Sequence, residues 1–176
     1  MINVRKHVFE TNSSSTHSIV VLSEGFKALE ALYPEKYDAV KDLINSYYTK
    51  EEVFKSFTDI GATIDNQGTL DLRKVDPEHY DFGYRAETFY ADSAHKILLV
   101  LAYLYEYEED GWYVDEYFKR YTMDALEAYD IKRIIYPEEG IDRVNHQCHD
   151  ELLDSIRYCL KDFMFRKDYI LKLDHD

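Results

Sequence analysis

The sequence predicts an α+β fold: one domain over residues 1–176, with a small mixed or antiparallel sheet and several helices around a central buried helix at 92–109. Three observations predict it. Segments of period two and segments of helical spacing are mixed, without the strict strand–helix alternation that a parallel sheet needs. The stretch 92–109 contains ILLVLAYL at 97–104, the longest uninterrupted apolar run in the chain, so its helix is apolar nearly all round and belongs in a core. The chain is 45% hydrophobic with only 6 Gly and 3 Pro, which suits one substantial core and leaves little material for a flexible linker.

The elements follow in order. Residues 2–9 alternate, with Ile2, Val4 and Val8 on one face and Asn3, Arg5 and His7 on the other, which is the period of a strand. IVVL at 19–22 is a second strand, so FETNSSSTHS at 9–18 becomes the connection of a hairpin. Ser23 caps a helix, SEGFKALEALY, that ends at Pro34, and Pro34 opens another with Tyr37, Val40, Leu43, Ile44 and Tyr47 at helical spacing. Thr49, followed three residues later by Glu52, forms a capping box for KEEVFKSF. ATIDNQGTLDLR at 62–73 reads as a hairpin turning at Asn66-Gln67-Gly68.

Residues 75–93 show no period and read as irregular. Asp92 or Ser93 then caps the central helix. GWYVDEYFKRY at 111–121 reads as a short helix, with Thr122 beginning another. IKRIIY at 131–136 is a buried strand that PEEG stops. A helix near 149–163 places Leu152, Leu153, Ile156, Cys159, Leu160 and Phe163 on one side, and YILKLD at 169–174 is the last strand.

Composition narrows the function. The eight-residue apolar run is far short of the roughly 20 residues that cross a bilayer. The opening MINVRKHVFETN has no apolar core of a secretion signal, so a cytoplasmic, host-cell location is expected. Cys148 and Cys159 fit free thiols in a reducing compartment. Thirty-five acids against 21 bases give a formal charge of −14. Such a surface repels nucleic acid and anionic membranes and attracts basic surfaces, so the expected partner is a basic, nucleic-acid-binding host protein and not nucleic acid itself. No cofactor is expected. Tyrosine, at 17 residues, adds side chains that bury apolar area while keeping a polar tip, a property used at interfaces.

Three constellations are candidate sites. In FETNSSSTHS, an extended backbone would set Ser15 beside His17, a first ingredient of nucleophilic catalysis, while the hydroxyls could instead hold an anion with Arg5 or His17 adding charge, a site that Arg85 could join. The alternative is a turn whose hydroxyls satisfy local backbone groups. IDRVNHQCHDEL at 141–152 gathers Asp142, His146, Cys148, His149 and Asp150, which can ligate a metal but lack the two-pair spacing of structural zinc sites; a polar loop capping the next helix explains them as well. EYEEDGWYVDEYF at 106–118 carries six acids, Glu106, Glu108, Glu109, Asp110, Asp115 and Glu116, with no base between them. Tyr107, Trp112, Tyr113 and Tyr117 interleave them, the first three as aromatic anchors. A wet acidic helix face with its aromatics turned inward is the plainer reading.

The opening RKHVFETNSSSTHSIV resembles the N-termini of uncharacterised phage and prophage proteins and proteins of gut Firmicutes, and NHQCHDEL looks like a variant of a His-Gln element of that group. By type, a small acidic phage-like protein also resembles anti-defence factors, the anti-CRISPR proteins among them. That resemblance implies an inhibitor of a host nucleic-acid enzyme, most concretely a CRISPR effector such as Cas9, that occupies a basic nucleic-acid-binding surface as a DNA mimic. The acids at 106–116 and their aromatics would carry the contact. The second reading is an enzyme acting on a nucleotide or phosphoester, with Ser13–Ser15 holding or attacking the anion, His17 and His146 moving protons and Arg85 balancing charge.

Overall fold

The computed structural model describes residues 15–21, 46–80, 82, 88–109, 116–138, 140–141, 156 and 159–175. Within them the order is β1 (Ser15–Val21), α1 (Lys50–Asp59), β2 (Thr63–Ile64), β3 (Thr69–Asp71), a 3-10 turn (Pro77–His79), β4 (Thr88–Tyr90), α2 (Ser93–Glu109), α3 (Glu116–Glu127), β5 (Arg133–Ile135), α4 (Leu160–Phe165) and β6 (Tyr169–His175). The class is α+β, as the mixture of periods predicts. The strands form two small sheets. One is antiparallel, in the order β1-β6-β4; the other is mixed, in the order β2-β3-β5, with β2 antiparallel and β5 parallel to β3.

Thr49 starts α1 as the sequence requires. Its hydroxyl accepts from the Glu52 N–H at 3.2 Å, and the Glu52 carboxylate accepts from the Thr49 N–H at 2.7 Å, so two donors at the open helix end are satisfied reciprocally. Val53 and Phe57, four apart, are the residues this helix buries completely. Burial of two such side chains contributes roughly 1.5–3 kcal/mol each.

The turn at 65–68 shows why the hairpin forms where it does. The Asp65 carboxylate accepts from the backbone N–H groups of Gln67 and Thr69, and these bonds hold its carboxyl below the ordinary range, the Thr69 one most strongly. Gly68 takes φ +82°, in the left-handed region, and its carbonyl accepts from Lys132 N at 2.8 Å. A Cβ there would stand 2.3 Å from the Asp130 carbonyl oxygen. Glycine therefore lets the hairpin turn close against the chain that enters β5.

The centre of the core is α2. Every residue from Ile97 to Leu104 is at most 5% exposed, so this helix is surrounded on all sides. Phe57, Leu70, Leu72, Phe118, Leu126, Phe163, Phe165 and Leu171 join it in one hydrophobic cluster that draws on both sheets. Tyr129 stacks on Phe165 at 3.9 Å between centroids and an angle of 8°, fastening the chain after α3 to α4.

Several expectations are corrected. Ser15 to Ser18 lie in β1 and not in a connection, and the partner of β1 is β6, from Ser15 opposite His175 to Val21 opposite Tyr169. Tyr47 is not helical; it makes an isolated antiparallel bridge with Arg166. The irregular stretch contains β4, paired to the other side of β6. The two helices expected around residues 111–126 are one in their described part, because Thr122 lies inside α3 with its hydroxyl donating to the Phe118 carbonyl at 2.8 Å. The expected strand at 2–9 and the helices at 23–45 lie outside the described residues.

Candidate functional site

The α3 sequence EYFKRYTMDALE separates two faces by spacing alone. Phe118, Thr122, Ala125 and Leu126 are buried, at the i, i+4, i+7, i+8 positions of one stripe. Tyr117 and Tyr121, one turn apart, point the other way and are 69% and 61% exposed. They are the two most exposed of the large hydrophobic side chains among the described residues. Glu116, Asp124 and Glu127 are exposed on the same helix, with Lys119 and Arg120 between them. Arg120 lies 3.7 Å from Asp124, an exposed pair of little weight. Glu116 opens α3, where a carboxylate meets the positive end of the helix dipole.

In the sequence α3 follows directly on the predicted acidic run. Glu106, Tyr107, Glu108 and Glu109 form the last turn of α2, and Glu116 is the first residue of α3. Asp110, Trp112, Tyr113 and Asp115 lie outside the described residues. Seven Cα steps separate Glu109 from Glu116, so the end of α2 and the start of α3 stand no more than about 25 Å apart. That distance falls within the width of an ordinary protein–protein contact of about 800 Å² per partner.

The Ser/His reading meets less of the structure. Ser15 and His17 lie in β1, where their Cα partners in β6 are His175 and Leu173. Ser13, Arg85, His146, Cys148 and His149 lie outside the described residues. Cys159 stands immediately before α4, and burial pushes its pKa up.

Two polar groupings were not anticipated from the sequence. The first joins three elements. The Asp92 carboxylate accepts from the His95 N–H at 3.0 Å and lies 2.8 Å from His95 Nδ1, while His95 Nε2 is 3.1 Å from His79 Nδ1. Tyr90 stacks on the His95 ring at 4.4 Å. Burial works to raise the Asp92 carboxyl, but the hydrogen bond and charge of His95 outweigh it and hold the group below its ordinary value. The local spacing, an Asp three residues before a His at a helix start, is visible in the sequence; the reach to His79, sixteen residues earlier, has no local signal.

The second is Lys96. Its side chain is fully buried, and Nζ donates to the carbonyls of Arg166 at 2.8 Å and Tyr169 at 3.0 Å. Burial pushes its pKa down to about 7. The same turn holds Asp168, also fully buried, which receives two hydrogen bonds from the Arg166 guanidinium. This grouping is structural: it ties α2 to the corner from which β6 departs.

No family model matches the sequence, and no curated protein and no solved structure is similar to it.

Proposed function

We propose that the protein is an acidic, phage-type binding protein that docks on the basic surface of a host nucleic-acid enzyme and blocks access of the nucleic acid, with a CRISPR effector of the Cas9 type as the concrete partner. The observation that carries this reading is the exposed pair Tyr117 and Tyr121 next to the acidic run of 106–116. Carboxylates supply the long-range attraction and the on-rate; two aromatic side chains supply the short-range contact that a purely charged surface lacks. The −14 charge points the attraction at cationic surfaces, and the effector's guide and target strands run through such channels. Lys119 and Arg120 mark where the acidic run ends on α3.

The test is a DNA-cleavage assay with guide-loaded Cas9 and rising amounts of the purified protein. Inhibition near stoichiometric ratio is expected, and the double variant Tyr117→Ser/Tyr121→Ser should weaken it at least tenfold while keeping its own melting temperature. Full cleavage at a large excess of wild type overturns the assignment to this effector. Equal inhibition by the double variant removes the tyrosine pair from the contact.

A further inference from the structure

We propose that Asp92, His95 and His79 form a proton relay whose outer atom, His79 Nε2, is the general base of a site that hydrolyses uncharged carboxylic esters. The site shares no residue with the docking face and stands independently of it.

With both rings neutral, hydrogen-bond counting assigns the protons. A carboxylate only accepts, so His95 Nδ1, 2.8 Å from Asp92, carries a hydrogen. A neutral imidazole then has a lone pair on Nε2, and the atom facing it at 3.1 Å, His79 Nδ1, must donate. His79 Nε2 is left as an acceptor on a half-buried ring. A proton taken there makes an imidazolium whose charge Asp92 stabilises through the intervening ring, as a carboxylate does for the base of a hydrolytic triad. A second proton would set two N–H groups against each other at the His79–His95 contact, so the relay holds one and exchanges it at one atom.

The geometry is built and not incidental to the helix start. Tyr90 lies flat on His95, Phe82 meets Tyr90 edge-on at 6.1 Å, and the His95 side chain is 12% exposed. His79 comes from a separate turn, in which Pro77 fixes the backbone and Asp76 caps the Glu78 N–H. The segments 76–80 and 88–95 carry three carboxylates, Asp76, Glu78 and Asp92, and the lysine that follows them, Lys96, is fully buried with its Nζ engaged by the Arg166 and Tyr169 carbonyls. That charge disfavours a phosphate ester and favours an uncharged acyl substrate. As the water oxygen bonds to the ester carbonyl carbon, its proton passes to His79 Nε2. When the tetrahedral adduct collapses, the ester C–O bond breaks and that proton goes to the departing alkoxide. Acid, alcohol and the original relay result. His79 is the catalytic residue; His95 and Asp92 position it.

The experiment follows p-nitrophenyl acetate hydrolysis against pH for wild type, His79→Gln and Asp92→Asn, together with nitrogen NMR of the imidazole rings. Wild type should exceed equimolar free imidazole by at least about a hundredfold, the low end for a positioned general base, and His79→Gln should lose that excess. Asp92→Asn keeps an oxygen for the helix cap, so it should fold, react about tenfold more slowly and move the acid limb of the profile to lower pH. NMR should find both rings protonated at Nδ1 and bare at Nε2 near neutral pH. A wild-type rate no better than imidazole, an unaffected His79→Gln, an unmoved acid limb in Asp92→Asn, or the opposite tautomer at either ring would each overturn the proposal.

Discussion

Lys96 is the residue whose chemistry most strongly marks this fold. A lysine with no exposed surface persists because two backbone carbonyls, of Arg166 and Tyr169, need a donor where β6 begins. Its folded pKa of about 7 lies below the ordinary 10.5, so between those values the unfolded chain binds more protons. Stability contributed by this group therefore rises with pH across 7 to 10.5. Tyr48 and Tyr169, whose phenols burial pushes to about 12, act oppositely: their contribution is lost as pH climbs from 10 to 12. Denaturant titrations at pH 7 and pH 10 should show wild type gaining a few kcal/mol relative to Lys96→Met, on the order that three pKa units imply. A constant difference between the two proteins would mean that Lys96 stays charged in the fold. Gly68 gives a sharper steric prediction. Gly68→Ala forces a side chain into the left-handed region and against the Asp130 carbonyl, so chemical denaturation should register a loss of upwards of about 2 kcal/mol. An unchanged midpoint would mean that the turn at 65–68 can move away from residue 130.

Elements with a local signal were the ones the sequence disclosed. The capping box at Thr49 and Glu52, the glycine turn at 66–68, the all-apolar run of α2 and the alternation of YILKLD each depend on contacts a few residues apart, and each stands in the structure where the spacing puts it. Thr49→Ala removes one half of the reciprocal cap and should cost about 1 kcal/mol in a urea titration; no loss would place the weight of α1 on Val53 and Phe57 alone. The misses have one cause. Tyr47 has helical spacing with its predecessors, yet the Tyr48 N–H finds the Phe165 carbonyl, and a bridge to Arg166 replaces the helix. β4 is three residues long, and its pairing with β6 spans more than eighty residues of chain, so no window of sequence contains it. The same holds for the candidate sites. The acids of 106–116 and the tyrosines of α3 are sequence neighbours and could be read together, although Tyr117 was assigned to the run without its partner Tyr121. The contact of His79 with His95 depends on the turn at 77–79 meeting the start of α2, which only the tertiary fold supplies.

For the whole molecule, charge is the property with the longest reach. At −14 the protein repels anions at a distance set by ionic strength, about 10 Å at 0.1 M salt and 3 Å at 1 M. Docking driven by that charge must therefore weaken steeply with salt, whereas the apolar contribution of Tyr117 and Tyr121 does not. The two contributions are separable: charge reversal in 106–116 should lower the association rate, and removal of the tyrosines should raise the dissociation rate. The most direct measurement is the affinity of purified Cas9 for the immobilised protein at a series of salt concentrations. The account predicts tight binding at low salt that falls by orders of magnitude towards 1 M. Absence of binding at the lowest salt, or binding indifferent to salt, would contradict it.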